Sequence, residues 1–328
     1  MVTLLKVHGS MNQFFILDQT LLDQPLTDDE LKKLAMQMTN STTGILNGAD
    51  GILVVDQSDH PDVLGKMRVI NADSSEASMC GNGLRTVARY LAEKTGRNSF
   101  KVETMYADLQ VRQESDFATG VPAFAVEISP VKFDKTALPF DNLGHERLLD
   151  TWVPELAPGL KFSSLAVPNP HLISFMDHDQ LMGDLLGELG ARLNGENPYY
   201  PDGVNVNFAE ILGSNRIFVK TFERGVGFTN ACGTGMSATS LAFALTHPDL
   251  GKFEEPISVF NPGGMVKTIL HESQGQYWIE LIGNATETHQ IQVDEALLHQ
   301  AKVTTGQVTI SETNEQAAYD QFISTIKP

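Results

Sequence analysis

Only two cysteines occur in the 328 residues, and both open the same four-residue pattern: Cys80-Gly81-Asn82-Gly83 and Cys232-Gly233-Thr234-Gly235. The apolar spacing after each predicts a helix, over 84–93 in the first case and 236–245 in the second. A chain this sparing with cysteine that places both in one local setting points to a paired use. Two thiols facing one carbon from opposite sides could remove a proton from one face and return one on the other. That is the chemistry of stereoinversion.

A helix start suits a reactive thiol. Its first N–H groups lack intrahelical partners, and the aligned peptide dipoles place partial positive charge there. A thiolate or a ligand carboxylate is therefore welcome, and glycine lets backbone and ligand come close. A thiol with pKa about 8.5 becomes a usable base once its thiolate is stabilised. Other uses of cysteine fit less well. A lone cysteine is most often a small core residue, but two matched settings argue against that. A zinc site needs closely clustered ligands, and a thioredoxin-like centre needs cysteines two residues apart. A structural disulfide has no role in a large chain without a secretion signal.

The polar residues around the two cysteines extend the idea. Asn12, Asn71, Asn169 and Asn205 could each bind an ammonium or a carboxylate group without adding charge. Arg224 offers a planar fork to a carboxylate, and Glu223 an acceptor to an ammonium group. Singly, such residues are usually turn asparagines and solvated ion pairs; their clustering at matched offsets is what gives them weight. His171, in Pro168-Asn169-Pro170-His171, reads as part of a stiff turn from which it could tune a thiol. The remaining histidines lack metal-ligand spacing. Gly225-Val226-Gly227 fails the dinucleotide fingerprint at Asn230, and Gly233-Thr234-Gly235 lacks the lysine of a phosphate loop.

The elements that must position these residues repeat along the chain. Strand-like 14–18 follows Asn12, and strand-like 172–177 follows Asn169. Turns at Asp50 and Asp202, equally far ahead of their cysteines, each lead into an apolar strand. Helices are expected over 28–39, with Thr27 as N-cap, and over 180–193. Further strands are expected at 99–103, 109–113 and 124–128, and at 257–260, 265–270 and 276–282. Strands wrapped around one apolar helix per half would bury Val87, Ala88, Tyr90 and Leu91 in one case. In the other they would bury Met236, Ala238, Leu241 and Ala242. A cleft between two such lobes would bring the cysteines face to face. The net charge of −18 argues against nucleic acid or an anionic membrane as partner, and no apolar run approaches a membrane span. A cytoplasmic protein with reduced thiols is expected.

With these motifs in view, the chain resembles the diaminopimelate epimerase family over roughly residues 1–290. The resemblance rests on residues 8–12, 48–51, 71–76 and 80–83. It continues through 169–171, 204–205, 223–225, 231–235 and Gly263-Gly264. It implies an isomerase that interconverts LL- and meso-diaminopimelate, in lysine and peptidoglycan synthesis, with no pyridoxal phosphate, metal or other cofactor. The implied fold is α/β (α+β): two similar lobes, each a cup of mostly antiparallel strands around a central helix, with the active site in the cleft between them. Residues 1–130 would form the lobe of Cys80, completed by a strand from about 285–293, and 131–284 the lobe of Cys232. The tail, 294–328, would be a helical extension with amphipathic stretches at 293–302 and 312–327. It could pack on the body or on a second subunit, which leaves a homodimer open.

The resemblance assigns Cys80 and Cys232 as the acid/base pair. Asn12, Asn71, Asn169, Asn205, Glu223 and Arg224 would hold the amino acid ends. Backbone N–H groups of Gly81, Asn82, Gly233 and Thr234 would bind the reacting carboxylate, and His171 with Glu223 would tune the thiols. Carboxylate binding at a helix start would stabilise the charge that develops as the Cα proton leaves. Four departures stand out: Gln13 for a usual Asp, Ser74 for a usual Gly, Phe228 for a usual acidic residue, and Asn47 as an insertion. A proline racemase-like or hydroxyproline epimerase-like enzyme is the nearest alternative, but such enzymes typically carry His where Asn82 stands. A non-catalytic amino acid-binding protein would tolerate loss of a cysteine, and neither is lost. A thiol redox sensor would reveal itself by a reversible, regulatory disulfide.

Overall fold

The computed structural model describes residues 1–326. Its first elements are β1 (Val2–Gly9), β2 (Asn12–Asp18), α1 (Asp28–Met38), β3 (Gly51–Asp56), β4 (Val63–Asn71), β5 (Glu76–Ala77) and α2 (Gly81–Thr95), followed by β6 (Ser99–Glu103), β7 (Asp108–Ala118) and β8 (Val121–Ile128). Next come β9 (Thr151–Trp152), β10 (Lys161–Ala166), β11 (Pro170–Phe175), α3 (His178–Met182), α4 (Leu185–Asn194), β12 (Asn205–Gly213), β13 (Arg216–Glu223), β14 (Gly227–Thr229) and α5 (Gly233–Thr246). The chain continues with β15 (Ile257–Asn261), β16 (Gly264–Ser273), β17 (Gln276–Asn284) and β18 (Thr286–Val293). It closes with α6 (Glu295–His299), β19 (Thr309–Glu312) and α7 (Glu315–Thr325). Among the described residues two compact units result: residues 1–126 with 283–325, and residues 127–282 with 326.

In the first unit β1 pairs antiparallel with β2, β2 parallel with β3, β3 antiparallel with β4, and β4 parallel with β6. Antiparallel pairs β6–β7 and β7–β8 follow. In the second unit β10–β11, β11–β12, β12–β13, β13–β15, β15–β16 and β16–β17 repeat that series of orientations step for step. Even the short hairpin partners match, β5 on β4 and β14 on β13. Each unit is thus a mixed, mainly antiparallel cup, and the duplicated layout read from the sequence is present as duplicated topology.

One helix fills each cup. α2 packs against β1, β2, β3, β4 and β7, and α5 against β10 to β13, β15 and β16. Both open earlier than the apolar spacing predicts, because the glycines that follow each cysteine are already helical. α5 is buried nearly all round, and its polar side chains are satisfied within the helix. Ser237, Thr239, Ser240 and Thr246 each donate to the carbonyl four residues back, at 2.7–2.9 Å. Val87, Ala88, Leu91, Met236, Ala238, Leu241 and Ala242 are buried as expected. Tyr90 is only partly buried, because its hydroxyl donates to Asp18 Oδ2 at 2.6 Å.

β2 and β3 are buried on both faces, which explains their unbroken apolar runs. Phe15, Leu17, Ile52 and Val54 pack with Leu31, Leu34, Ala35 and Met38 of α1. α1 starts at Thr27 with a reciprocal cap: the Thr27 hydroxyl takes the Glu30 N–H, and Glu30 returns to the Thr27 N–H at 2.8 Å. The helix expected over 180–193 is instead two, α3 and α4, broken at Gly183-Asp184.

The tail differs from a purely helical extension. β18 pairs antiparallel with β1, and β19 adds to β18 as a further strand that the sequence reading missed. α7 then lies on the first unit, where Glu315 receives both terminal nitrogens of Arg89 from α2, at 2.6 and 2.7 Å. Lys327, the end of the expected last helix, lies outside the described residues. Among the described residues no helix is long and apolar enough to cross a membrane.

Candidate active site

Cys80 and Cys232 occupy the same structural position. Each has extended backbone and is the N-cap of its helix, and each Sγ accepts the N–H of the third helical residue: Gly83 at 3.3 Å and Gly235 at 3.4 Å. Sulfur thus takes the place that a Ser or Asp oxygen usually fills. The third position is crowded by side chains, which favours glycine there. A Cβ at Gly83 would meet Leu53 Cδ2 at 2.7 Å, and one at Gly235 would collide with Asn207 Oδ1 and stand 3.2 Å from Cys232 Sγ. Cys80 is half-buried and Cys232 buried.

The first unit gathers its polar residues through Asp50. Asn12 Nδ2 and the Gln13 N–H both donate to Asp50 Oδ2 at 2.7 Å. Asn12 Oδ1 then accepts from Asn82 Nδ2 at 3.2 Å and from the Cys80 thiol at 3.7 Å. Asn71 joins through the backbone, opposite Gly51 in the β3–β4 ladder, and its Nδ2 donates to Ser75 Oγ at 3.0 Å. Gln13 contributes its backbone here, so its departure from the family's usual Asp leaves this contact intact.

Ser74 lies in the same loop with φ of 69°, a left-handed conformation that favours glycine. The glycine usual in the family would relieve about 1 kcal/mol of backbone strain, partly offset by its freer unfolded chain. Ser74→Gly is expected to raise stability by up to about 1 kcal/mol. Denaturant unfolding of the two proteins measures it, and a less stable variant would refute the assignment of strain.

In the second unit the hub is Asn207, two residues beyond Asn205 on the same strand face. Its Nδ2 lies 3.1 Å from His171 Nδ1 and donates to the Asn205 carbonyl at 3.1 Å, while its Oδ1 accepts from Thr221 Oγ1 at 2.9 Å. Because an amide nitrogen can only donate, His171 Nδ1 is the acceptor, and Nε2 carries the proton that goes to Asn169 Oδ1 at 3.2 Å. His171 lies in β11, just past the turn in which the sequence placed it, and is fully buried. Burial first, then the nearby Arg224 charge, pushes its pKa down to about 3, so the ring is neutral.

Asn205 faces His171 in the parallel β11–β12 ladder, and its Oδ1 accepts the Arg224 N–H at 2.8 Å. Glu223 ends β13, half-buried, and the exposed Arg224 sends Nη1 to the Asp202 carbonyl at 2.9 Å. Thr234 is buried with its Oγ1 3.5 Å from Cys232 Sγ. Phe228 is turned to Phe222, with ring centroids 5.5 Å apart, and lies over Gly187 of α4, where an added Cβ would meet it at 3.2 Å.

Each unit therefore carries its own set: Asn12, Gly81 and Asn82 beside Cys80, with Asn71 opposite Gly51 next to the Asp50 turn, and Asn169, His171, Asn205, Glu223, Arg224, Gly233 and Thr234 in the unit of Cys232. The two hubs, Asp50 and Asn207, were not singled out as site residues from the sequence. Asp50 reads there as a turn residue, and the only signal for Asn207 was its two-residue spacing from Asn205 on a strand. Among the described residues no group of three His, Cys, Asp or Glu side chains is arranged to hold a metal ion.

Known proteins resemble this arrangement at two levels. Among solved structures, a PhzF-family phenazine biosynthesis protein from Bacillus anthracis superposes with a TM-score of 0.61 at 14% identity, over 88% of this chain and 97% of that one. A hydroxyproline epimerase from Agrobacterium vitis superposes with a TM-score of 0.55 at 15% identity, over 99% and 98%. At such identities the likeness is one of fold. Sequence is more specific. The Diaminopimelate epimerase family model matches residues 4–129 and 164–287. The diaminopimelate epimerase of Ligilactobacillus salivarius is 54% identical over 98% of each chain, and that of Lactiplantibacillus plantarum 53% identical over 99% of this chain and 98% of its own. These relatives share the tail beyond residue 290, where the sequence-based resemblance stopped. With a family model covering both units and full-length relatives above half identity, the chain belongs to the diaminopimelate epimerase family.

Proposed function

We propose that the chain interconverts LL- and meso-diaminopimelate by two-base proton transfer at Cα. One cysteine, as thiolate, takes the Cα proton. The other, as thiol, delivers a proton to the opposite face, and the electron pair of the broken C–H bond passes into the carboxylate and back. Protons balance: one thiolate becomes a thiol and one thiol a thiolate. The observation that carries this reading is the matched capping geometry, a cysteine Sγ on the third N–H of each central helix.

The other roles follow from chemistry. A helix start that favours a thiolate also favours a carboxylate, so the N–H groups of Gly81, Asn82, Gly233 and Thr234 are assigned to the reacting carboxylate. Those donors stabilise the enolate-like charge most where it is greatest, in the transition state. Asn12, Asn71, Asn169 and Asn205, with Glu223 and Arg224, bind the two ammonium groups and the remaining carboxylate of the substrate. His171 is neutral, so it tunes the thiols by fixing Asn169 and Asn207 rather than by charge, and Glu223 does so as an acceptor. The same reading places the enzyme in the cytoplasm, where both thiols stay reduced, and takes a homodimer as its assembly, to be tested by light scattering. Purified chain incubated with LL-diaminopimelate is expected to give the meso isomer, resolved by chiral chromatography. A folded chain that leaves the LL isomer unchanged would overturn the proposal.

A further inference from the structure

The tail crosses the first unit beside the turn that carries Asn12. α7 is tied down at its start by Glu315, which takes both terminal nitrogens of Arg89 and, at 2.9 Å, the Glu287 N–H of β18. Further along, Phe322 packs on Phe117 of β7, with ring centroids 5.7 Å apart. Between these anchors the fully buried Tyr319 sets its ring against His8 of β1, with centroids 4.7 Å apart and the rings steeply inclined. Gln316 Nε2 donates to Met11 Sδ at 3.7 Å. Both contacts fall on the β1–β2 turn or on the residue that supports it.

That turn needs support. Gly9 pairs with Asn12, so Ser10 and Met11 are the whole loop, and both have left-handed φ, 52° and 66°, where glycine or asparagine is usual. Such backbone persists where its surroundings fix it. The Ser10 N–H donates to Asn284 Oδ1 at 2.8 Å and the Met11 N–H to His8 Nδ1 at 3.2 Å. On the inner side the turn rests on α2. Arg85, fully buried, donates from Nη2 to Ser10 Oγ at 3.4 Å and from Nε to the Asn284 carbonyl at 3.1 Å. Two glycines make room for it: a Cβ on Gly9 would stand 2.7 Å from Nη2, and one on Gly283 2.7 Å from Cζ. The turn is thus held between α2 and α7. The corresponding β10–β11 turn of the second unit is stiffened by its own residues. It contains Pro168, whose ring fixes φ, and closes on itself with the Val167 N–H donating to the Asn169 carbonyl at 3.0 Å.

The residue that leaves the turn is Asn12. Asp50 holds its amide nitrogen, and its Oδ1 accepts the Cys80 thiol at 3.7 Å, so a displaced turn carries the acceptor away from the sulfur. We infer that α7 is a clamp on the β1–β2 turn, with Tyr319 the positioning residue that, through His8 and Met11, holds Asn12 on the Cys80 thiol. The inference rests on the reading of Cys80 and Asn12 as site residues, but thiol alkylation requires no turnover, so its outcome is separate from the substrate assignment.

The experiment follows iodoacetamide alkylation at pH 7 in the full chain, with Cys232→Ala leaving Cys80 as the only thiol. An acceptor on the S–H favours the neutral thiol, so releasing Asn12 favours the thiolate. Tyr319→Ala is expected to speed alkylation about threefold, as is Asn12→Ala. Tyr319→Phe, which keeps the ring against His8, should restore most of the original rate. The deciding arm combines Tyr319→Ala with Asn12→Ala. If Tyr319 acts through Asn12, it has no further effect there, whereas a role in stability alone would add to the first change. Thermal melts confirm that each variant is folded. An unchanged rate in folded Tyr319→Ala, a Phe variant as fast as the Ala variant, or an undiminished increase in the Asn12→Ala background overturns the proposal. Should Tyr319→Ala not fold, the half-buried Gln316 decides by the same cycle. Gln316→Ala must then speed alkylation when Asn12 is present and leave it unchanged when Asn12 is absent, and any other result contradicts the inference.

Discussion

Cys80→Ala and Cys232→Ala are each expected to lower epimerisation about a thousandfold or more while leaving the fold in place. A positioned acid or base is worth about a hundred- to ten-thousandfold, and here each direction of reaction uses both groups. Losing one therefore stops the cycle instead of halving it. The structural cost is smaller. Each change deletes the sulfur that caps one helix, on the order of 1 kcal/mol for a cap of ordinary strength, while α2 and α5 remain held by their cups. Steady-state rates and circular dichroism on both variants measure the two effects. Full activity in either folded variant would end the two-base account.

Selectivity for the far end of the substrate should be nearly as large. The residues assigned to binding include four asparagines, Glu223 and Arg224, far more polar capacity than one amino acid head group requires. A substrate lacking one charged end would leave some of those groups desolvated and unpaired, at about 1–3 kcal/mol each. Sites built to hydrogen-bond a substrate group reject analogues without it by about ten-thousandfold or more. Lysine, which lacks the second carboxylate, and proline, which lacks the second amino acid end altogether, are expected to have kcat/KM lower than diaminopimelate by at least about a thousandfold. Comparable kcat/KM for proline would move the assignment to the racemase alternative.

The sequence made the chemistry more legible than the architecture that supports it. Cys-Gly-X-Gly ahead of a helix is a local signal, and the structure places both sulfurs on the third N–H accordingly. The Thr27 cap and the apolar strands 14–17 and 52–55 are local too. The misses depend on packing between distant segments. Tyr90 read as core from helical spacing, but its hydroxyl is drawn from α2 to Asp18 at the end of β2. Gly183 breaks what reads as one helix. β19 is a strand because β18 offers it an edge, not because residues 309–312 are strongly apolar. Arg85 is the clearest case. An arginine on a helix normally faces water, and nothing in its own neighbourhood of sequence shows that Gly9 and Gly283 leave room for it inside.

The central claim is that a Cα proton leaves to one cysteine and another arrives from the second. The most direct measurement is incubation of LL-diaminopimelate with the chain in D2O, following the Cα–H signal by NMR as the meso isomer forms. Thiol protons exchange with solvent, so the account predicts deuterium at the inverted Cα of the product, and no such exchange in either Cys→Ala variant. Meso product that keeps its original Cα proton would contradict it.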